Sequence, residues 1–99
     1  MGEGVTLPTT ATIIGNKPNP FNATTAITYY LPDVLESKLT IYNLVGEKVT
    51  EFSNEPRKGM VTVLWNGQDR NGENVPSGIY FARLEAGRES DVRRVILLK

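Results

Sequence analysis

Short runs rich in β-branched and aromatic residues recur about every ten residues along this 99-residue chain, separated by clusters of glycine, proline, asparagine and aspartate. This spacing is typical of antiparallel β-structure, because each run fits one strand and each cluster fits a reversal of the chain. No segment shows the 3.6-residue periodicity of a helix. The pattern therefore predicts an all-β protein folded as an antiparallel β-sandwich of about seven strands.

Alternation of large apolar with smaller or polar residues predicts where the strands lie. Residues 25–31 alternate in the way that a strand buried on one face requires. We expect Pro32 and Asp33 to end this strand, and residues 54–59 to form a polar loop. The remaining predicted strands lie near residues 10–14, 38–42, 48–53, 60–65, 79–85 and 91–98.

Trp65 is the predicted anchor of the core. It shares one face of its strand with Val61 and Val63, whereas the intervening residues point the other way. Residues 66–77, which follow, contain two Asn-Gly pairs and a proline, so we expect a long connection between strands.

The composition argues against several classes of function. The chain has no cysteine and no histidine, which removes thiolate nucleophiles, disulfides, the usual general base and the commonest metal-binding nitrogen. Eleven basic residues balance eleven acidic ones, so we expect no nucleic-acid partner. The longest apolar run, residues 95–98, is too short for a transmembrane segment. We expect a non-catalytic domain without a cofactor.

The densest cluster of turn residues, at 16–22, is called here the leading loop. Two prolines restrict the backbone, and the asparagines can bond to neighbouring amides. Phe21 stands among polar residues, so we expect it either to seal one end of the sandwich or to take part in recognition. The central residues of this loop are Pro18, Asn19, Pro20, Phe21 and Asn22.

A partial calcium-loop pattern surrounds Gly72. Asp69, Asn71 and Glu73 could supply oxygen ligands, but the glycine lies fourth rather than sixth, and Tyr80 occupies the position of the bidentate glutamate. A solvated turn explains these residues better, and we expect no metal site.

The chain ends on an apolar strand followed by a cation, Lys99. We expect Val95 and Leu97 to close the sandwich through alternate side chains. A receptor could also recognise the exposed backbone edge and the basic end of this strand by strand addition.

These motifs occur in a characteristic order. The segments are PNPFN at 18–22, TAITYYLP at 25–32, LTIYNLVG at 39–46, VLWNG at 63–67, DRNG at 69–72, PSGIY at 76–80 and VILLK at 95–99. Over about residues 13–99 the set resembles the type A C-terminal sorting domain of the type IX secretion system. It is also similar to the immunoglobulin-like domain of the flagellar hook-capping protein.

The resemblance implies an immunoglobulin-like fold that sends a parent protein through the outer membrane of Bacteroidota-type bacteria to the cell surface. Outer-membrane secretion machinery and a sortase-like protease would be its partners, besides the upstream domains of the parent.

Residues 1–12 would be a cloning-derived start, a linker or a weak first strand. The alternative is a structural or binding accessory module, either hook-capping-like or beside a glycan-degrading enzyme. The positions that match the family's recognition elements are Pro76, Gly78, Tyr80, Arg94 and Lys99.

Overall fold

The computed structural model describes residues 6–98, which form five β-strands. Their bounds are β1 (Thr12–Lys17), β2 (Thr25–Tyr42), β3 (Lys48–Trp65), β4 (Gly78–Ala86) and β5 (Glu89–Leu97). The expectation of about seven strands is therefore wrong, because β2 and β3 each continue through a segment where we predicted a break. The described residues are all-β, and none of them lies in a helix that could cross a membrane.

All strand pairs in the sheet are antiparallel, with neighbours in the order β1-β2-β4-β5 and with β3 also paired to β2. The two halves of β2 have different partners. Residues 26–30 pair with β1, whereas residues 37–42 pair with β4, and β3 accompanies β2 along both halves. The first strand begins at Thr12 rather than near residue 10.

The long β2-β3 hairpin folds back on itself. Eighteen extended residues would span about 60 Å, but the longest dimension of the molecule is 46 Å. Trp65, opposite Thr25 at one end of the hairpin, contacts Tyr80 on β4, which pairs with the other end. The bend therefore brings the two ends of the hairpin close together at the contact between Trp65 and Tyr80.

Irregular register and a buried polar network mark the bend. The pairing of β2 with β3 shifts between Leu31 and Leu35, and again between Leu35 and Ser37. The buried hydroxyl of Tyr29 lies 2.7 Å from the Ser37 hydroxyl and accepts a hydrogen bond of 3.0 Å from the Asn54 side chain. These bonds connect the two halves of β2 to β3, because Tyr29 precedes the bend and Ser37 follows it.

All five strands contribute buried residues to the core, and these alternate with more exposed residues along most of β2, the end of β3 and β4. Val61, Val63 and Trp65 are buried, whereas Met60 and Leu64 are exposed. The largest fully buried side chains are those of Trp65, Tyr29, Phe21, Ile13, Ile27, Leu31, Leu39, Ile41, Leu84, Leu97, Val61 and Val95.

Side-chain carboxylates attach the N-terminal strand to β5. The amide of Ala11 donates to Glu89 Oε1 at 2.7 Å, and the amide of Ile13 donates to Asp91 Oδ2 at 2.8 Å. Two backbone donors near the start of β1 are thereby satisfied without a ladder between β1 and β5.

Candidate functional site

The leading loop, the connection at 66–77 and the last residues of β5 meet at one end of the domain, which we call the loop end. Phe21 forms a parallel bridge with Leu97. Gly67 adopts a left-handed conformation with a φ of 73°, and a Cβ there would lie 3.5 Å from Leu97 and 3.8 Å from Phe21. Three segments distant in sequence therefore contact one another at the loop end.

Backbone hydrogen bonds join the leading loop to the end of β5. The amide of Phe21 donates to the Ile96 carbonyl at 2.9 Å, and the amide of Leu98 donates to the Phe21 carbonyl at 2.8 Å. Asn19 Oδ1 accepts the amide of Ile96 at 3.0 Å. The expectation of an exposed edge on the last strand is therefore wrong for residues 96–98, since the leading loop occupies that edge.

The hydrogen-bonded junction between the leading loop and the end of β5 is called the seam. Three aromatic rings close the core beneath it. The Trp65 ring lies 5.3 Å from that of Phe21 and 5.3 Å from that of Tyr80, measured between centroids. The Trp65–Tyr80 contact is edge-on at 74°, a geometry that aromatic quadrupoles favour. Trp65 Nε1 donates to the Gln68 carbonyl at 2.9 Å, so the buried indole is satisfied. Phe21 is 2% exposed, which places it in the sealing role rather than on a recognition surface.

Tyr80 fixes the segment that precedes β4. Its hydroxyl donates to the Pro76 carbonyl at 2.6 Å. Burial raises the pKa of the Tyr80 hydroxyl above its ordinary value, because the charged phenolate would lose solvation.

Gly78 is the first residue of β4 and pairs with Leu97 of β5. Apart from its chain neighbours, no atom lies within 4 Å of the position that a Cβ would take there.

Side-chain hydrogen bonds hold the base of the leading loop. The buried hydroxyl of Thr25 donates to the Pro18 carbonyl at 2.8 Å and accepts a bond of 3.1 Å from the Asn16 side chain. Pro20 and Asn22 are exposed on either side of the buried Phe21. The loop therefore exposes Pro20 and Asn22 to solvent, whereas its one aromatic side chain faces the core.

Of the two predicted basic positions, the structure describes Arg94, which does not join the aromatic cluster. Arg94 is exposed on β5, where it pairs with Phe81 of β4. Lys99 lies outside the described residues.

The partial calcium loop is organised by its own backbone. Asp69 Oδ1 accepts the amides of Asn71 at 2.9 Å and Glu73 at 3.0 Å, as in an Asx turn. Within residues 6–98 no group of three or more acidic, histidine or cysteine side chains is arranged to hold a metal ion. One carboxylate oxygen that calcium would need is thus already used by two amides.

A shallow groove beside Tyr80 was missed by the sequence reasoning. Asn43 Oδ1 accepts the amides of Val45 and Glu47, which builds a tight turn with Leu44 and Val45 at its tip. These two side chains are 65% and 79% exposed. Together with Asn43 and residues 77–80 they line a groove of about 240 Å³. Two adjacent aliphatic residues in a turn were the available signal, because turn positions normally favour polar residues.

Comparisons with known proteins identify relatives of this fold. A sequence profile described as the FlgD Ig-like domain matches residues 15–90. No curated protein matches the chain significantly. Among solved structures, PorZ superposes with a TM-score of 0.61 and 19% sequence identity; it is an essential bacterial surface component of the type-IX secretion system of Porphyromonas gingivalis. The superposition covers 88% of this chain but 11% of the PorZ chain, and at this identity it establishes a shared fold.

Proposed function

Because the chain belongs to the FlgD Ig-like domain family, we propose that it is a non-catalytic immunoglobulin-like domain that sorts a parent protein through the type IX secretion system. The observation that carries the proposal is the meeting of the ordered motifs at the loop end. The leading loop, Trp65, the Pro76–Tyr80 segment and the end of β5 are far apart in sequence but form one contact network.

The fold-back of the sheet supports the finer assignment of an immunoglobulin-like sandwich. In the proposal, the halves of β2 and β3 on either side of the bend form two facing layers together with β1, β4 and β5, and the different partners of the two halves of β2 support this arrangement. We assign this sandwich to residues 13–99, with the preceding residues as a linker or lead-in.

The loop end offers features suited to recognition by another protein. Aliphatic side chains of Leu44 and Val45 flank the groove beside Tyr80, and Arg94 adds a cation on the exposed face of β5. Apolar contacts of this kind contribute affinity, whereas charges at the margin guide encounter. In the proposal, outer-membrane secretion machinery recognises the loop end with Lys99, and a sortase-like protease then separates the domain from its parent.

The similarity to PorZ supports a link to secretion through a shared fold. PorZ is a surface component of that system, so a domain of this fold is compatible with a surface destination. The parent protein in our proposal is accordingly secreted or displayed at the cell surface, while its activity belongs to its upstream domains.

The test fuses residues 1–99 to the C-terminus of a periplasmic reporter in a host with the secretion system. Full-length fusion should reach the surface. The variants Arg94→Ala and Lys99→Ala should retain the reporter in the periplasm, because each removes one of the cations that the proposed receptor recognises. Arg88→Ala, on the exposed β4-β5 turn, is the matched control and should export normally. Equal export of all four fusions would contradict the sorting role.

A second function is favoured by the extent of the family match, which ends at Ser90 and leaves most of β5 outside it. Family membership alone therefore fits an accessory module, either hook-capping-like or beside a glycan-degrading enzyme. In that case Val95 and Leu97 complete the core, but residues 91–99 do not direct secretion. A fusion that folds, as judged by its thermal transition, yet stays in the periplasm would favour this module.

A further inference from the structure

Edge strands expose unpaired backbone groups, and two stretches of edge in this sheet are protected. The carboxylates of Glu89 and Asp91 occupy the amides of Ala11 and Ile13 beside β1. The leading loop occupies the outer edge of β5 at residues 96–98. Such devices prevent the pairing of one sheet with another.

The second half of β3 has no such protection. Among the described residues β3 pairs with β2 alone, and no backbone hydrogen bond outside that ladder reaches residues 60–64. By contrast, Val49 in the first half accepts the amide of Arg70. The first half also carries charged side chains, among them Lys48 and Glu51, which form an ion pair at 2.8 Å.

The sequence of this open edge favours strand pairing. Residues 60–65 read MVTVLW, with no charge, no proline and no glycine. Met60 and Leu64 on the outer face are 56% and 65% exposed, while Val61 and Val63 are buried against the core. An uncharged, unpaired edge with exposed apolar side chains is a surface for strand addition.

We propose that a second copy of this chain occupies this edge, with the two β3 strands antiparallel about a two-fold axis at Thr62. In this register Met60 of one copy lies opposite Leu64 of the other, and Thr62 lies opposite itself. Because residues directly opposite in an antiparallel pair share a face, the two exposed apolar side chains of each copy contact those of the other. The result is a self-complementary interface of the kind that two-fold dimers use.

The charges on either side of the edge are compatible with this register. Lys58 of one copy lies opposite Asn66 of the other, so the cations at the bend do not meet. Residues 60–64 contribute no charge that would have to be desolvated when the edges pair. One strand pair buries a small area, so we expect a weak dimer with a dissociation constant on the order of 100 µM.

Sedimentation of the 99-residue chain over a concentration series up to about 1 mM tests the dimer. The species should shift from 11.0 kDa toward twice that mass. Thr62→Lys places two like charges opposite each other and should raise the dissociation constant about tenfold or more. Ser90→Lys is the matched control at an exposed position of β5 and should leave it unchanged. A monomer at every concentration, or equal effects of the two substitutions, would overturn the proposal.

Cysteine cross-linking tests the register, since the natural chain has no cysteine. The Cβ atoms of Thr62 and its counterpart should lie about 5 Å apart, so Thr62→Cys should form a disulfide dimer under mild oxidation. Ser90→Cys should remain monomeric under the same conditions. Both single-cysteine proteins keep the core intact, and circular dichroism confirms folding before oxidation. Equal cross-linking of the two variants would refute the two-fold pairing at Thr62.

Discussion

Substitution of Phe21 by alanine tests whether the leading loop and the last strand form one cooperative unit. Phe21 is 2% exposed and its ring stacks at a tilt of 55° on Trp65, 5.3 Å away. A buried phenylalanine side chain removes about 150–200 Å² from water, worth about 4 kcal/mol at ~25 cal/mol per Å². Phe→Ala substitutions in cores that do not collapse into the resulting cavity lower the free energy of unfolding by a similar amount, about 3–5 kcal/mol. This is a large fraction of the stability of a domain of this size, about 5–15 kcal/mol.

Urea denaturation followed by Trp65 fluorescence measures this cost directly. Phe21→Ala should lower the free energy of unfolding by about 4 kcal/mol, and Phe21→Leu, which keeps most of the volume, by about 1–2 kcal/mol. Leu44→Ala serves as a control, because Leu44 is 65% exposed and should change stability by less than about 0.5 kcal/mol.

Hydrogen exchange separates a local loss from a global one. In the natural chain the amides of Phe21, Ile96 and Leu98 are protected by bonds across the seam. In Phe21→Leu these three should exchange faster than amides in the β2-β4 ladder. If Phe21→Ala costs no more than Leu44→Ala, or if Ile96 and Leu98 keep their protection in Phe21→Leu, the coupling argued from the structure is wrong.

Further predictions concern the β1 attachment, Tyr80 and the turn at Asp69. Asp91→Ala should lower stability by about 1–3 kcal/mol in urea denaturation, because the Ile13 amide loses its acceptor, whereas Asp33→Ala at the exposed bend should not. Tyr80→Phe should cost about 1 kcal/mol at neutral pH through loss of its hydrogen bond to a loop carbonyl. Because burial raises the Tyr80 pKa above its ordinary 10.0, the native state retains a proton that the unfolded chain loses, so stability falls above pH 10; Tyr80→Phe should reduce that fall. Millimolar calcium should leave the melting temperature unchanged, since Asp69 Oδ1 is engaged by two amides; a clear rise would restore the metal-site interpretation.

The alternation of apolar and polar residues was sufficient to predict the buried face of most strands, because successive side chains of a strand point to opposite faces of the sheet. It failed at the bend. Pro32 lies where the register between β2 and β3 shifts, so it breaks no ladder bond and the extended backbone can continue through it. Asn54 reads as a loop residue, yet its side chain bonds to the Tyr29 hydroxyl within the sheet. Turn chemistry and a bend in a long hairpin have the same local signature.

The candidate site could be predicted only in part. The order of the motifs led to the residues Pro76, Gly78 and Tyr80, and the structure shows the Tyr80 hydroxyl bonded to Pro76. The bond between Asn19 and Ile96 joins positions 77 residues apart, and no local pattern contains it. For the same reason the occupied edge of β5 and the open edge of β3 could not be distinguished from the sequence.

The seam between the leading loop and β5 affects when the domain can fold during synthesis. Val95 and Leu97 are buried in the core, and Leu97 pairs with Phe21, so the hydrophobic interior stays incomplete until nearly all of the described chain has left the ribosome. Because synthesis adds about 5–20 residues per second, the apolar faces of the earlier strands stay exposed for several seconds, during which chaperones can bind them. A nascent chain halted before residue 95 should therefore remain protease-sensitive, whereas one extended far enough to free residue 98 should become resistant in a single step.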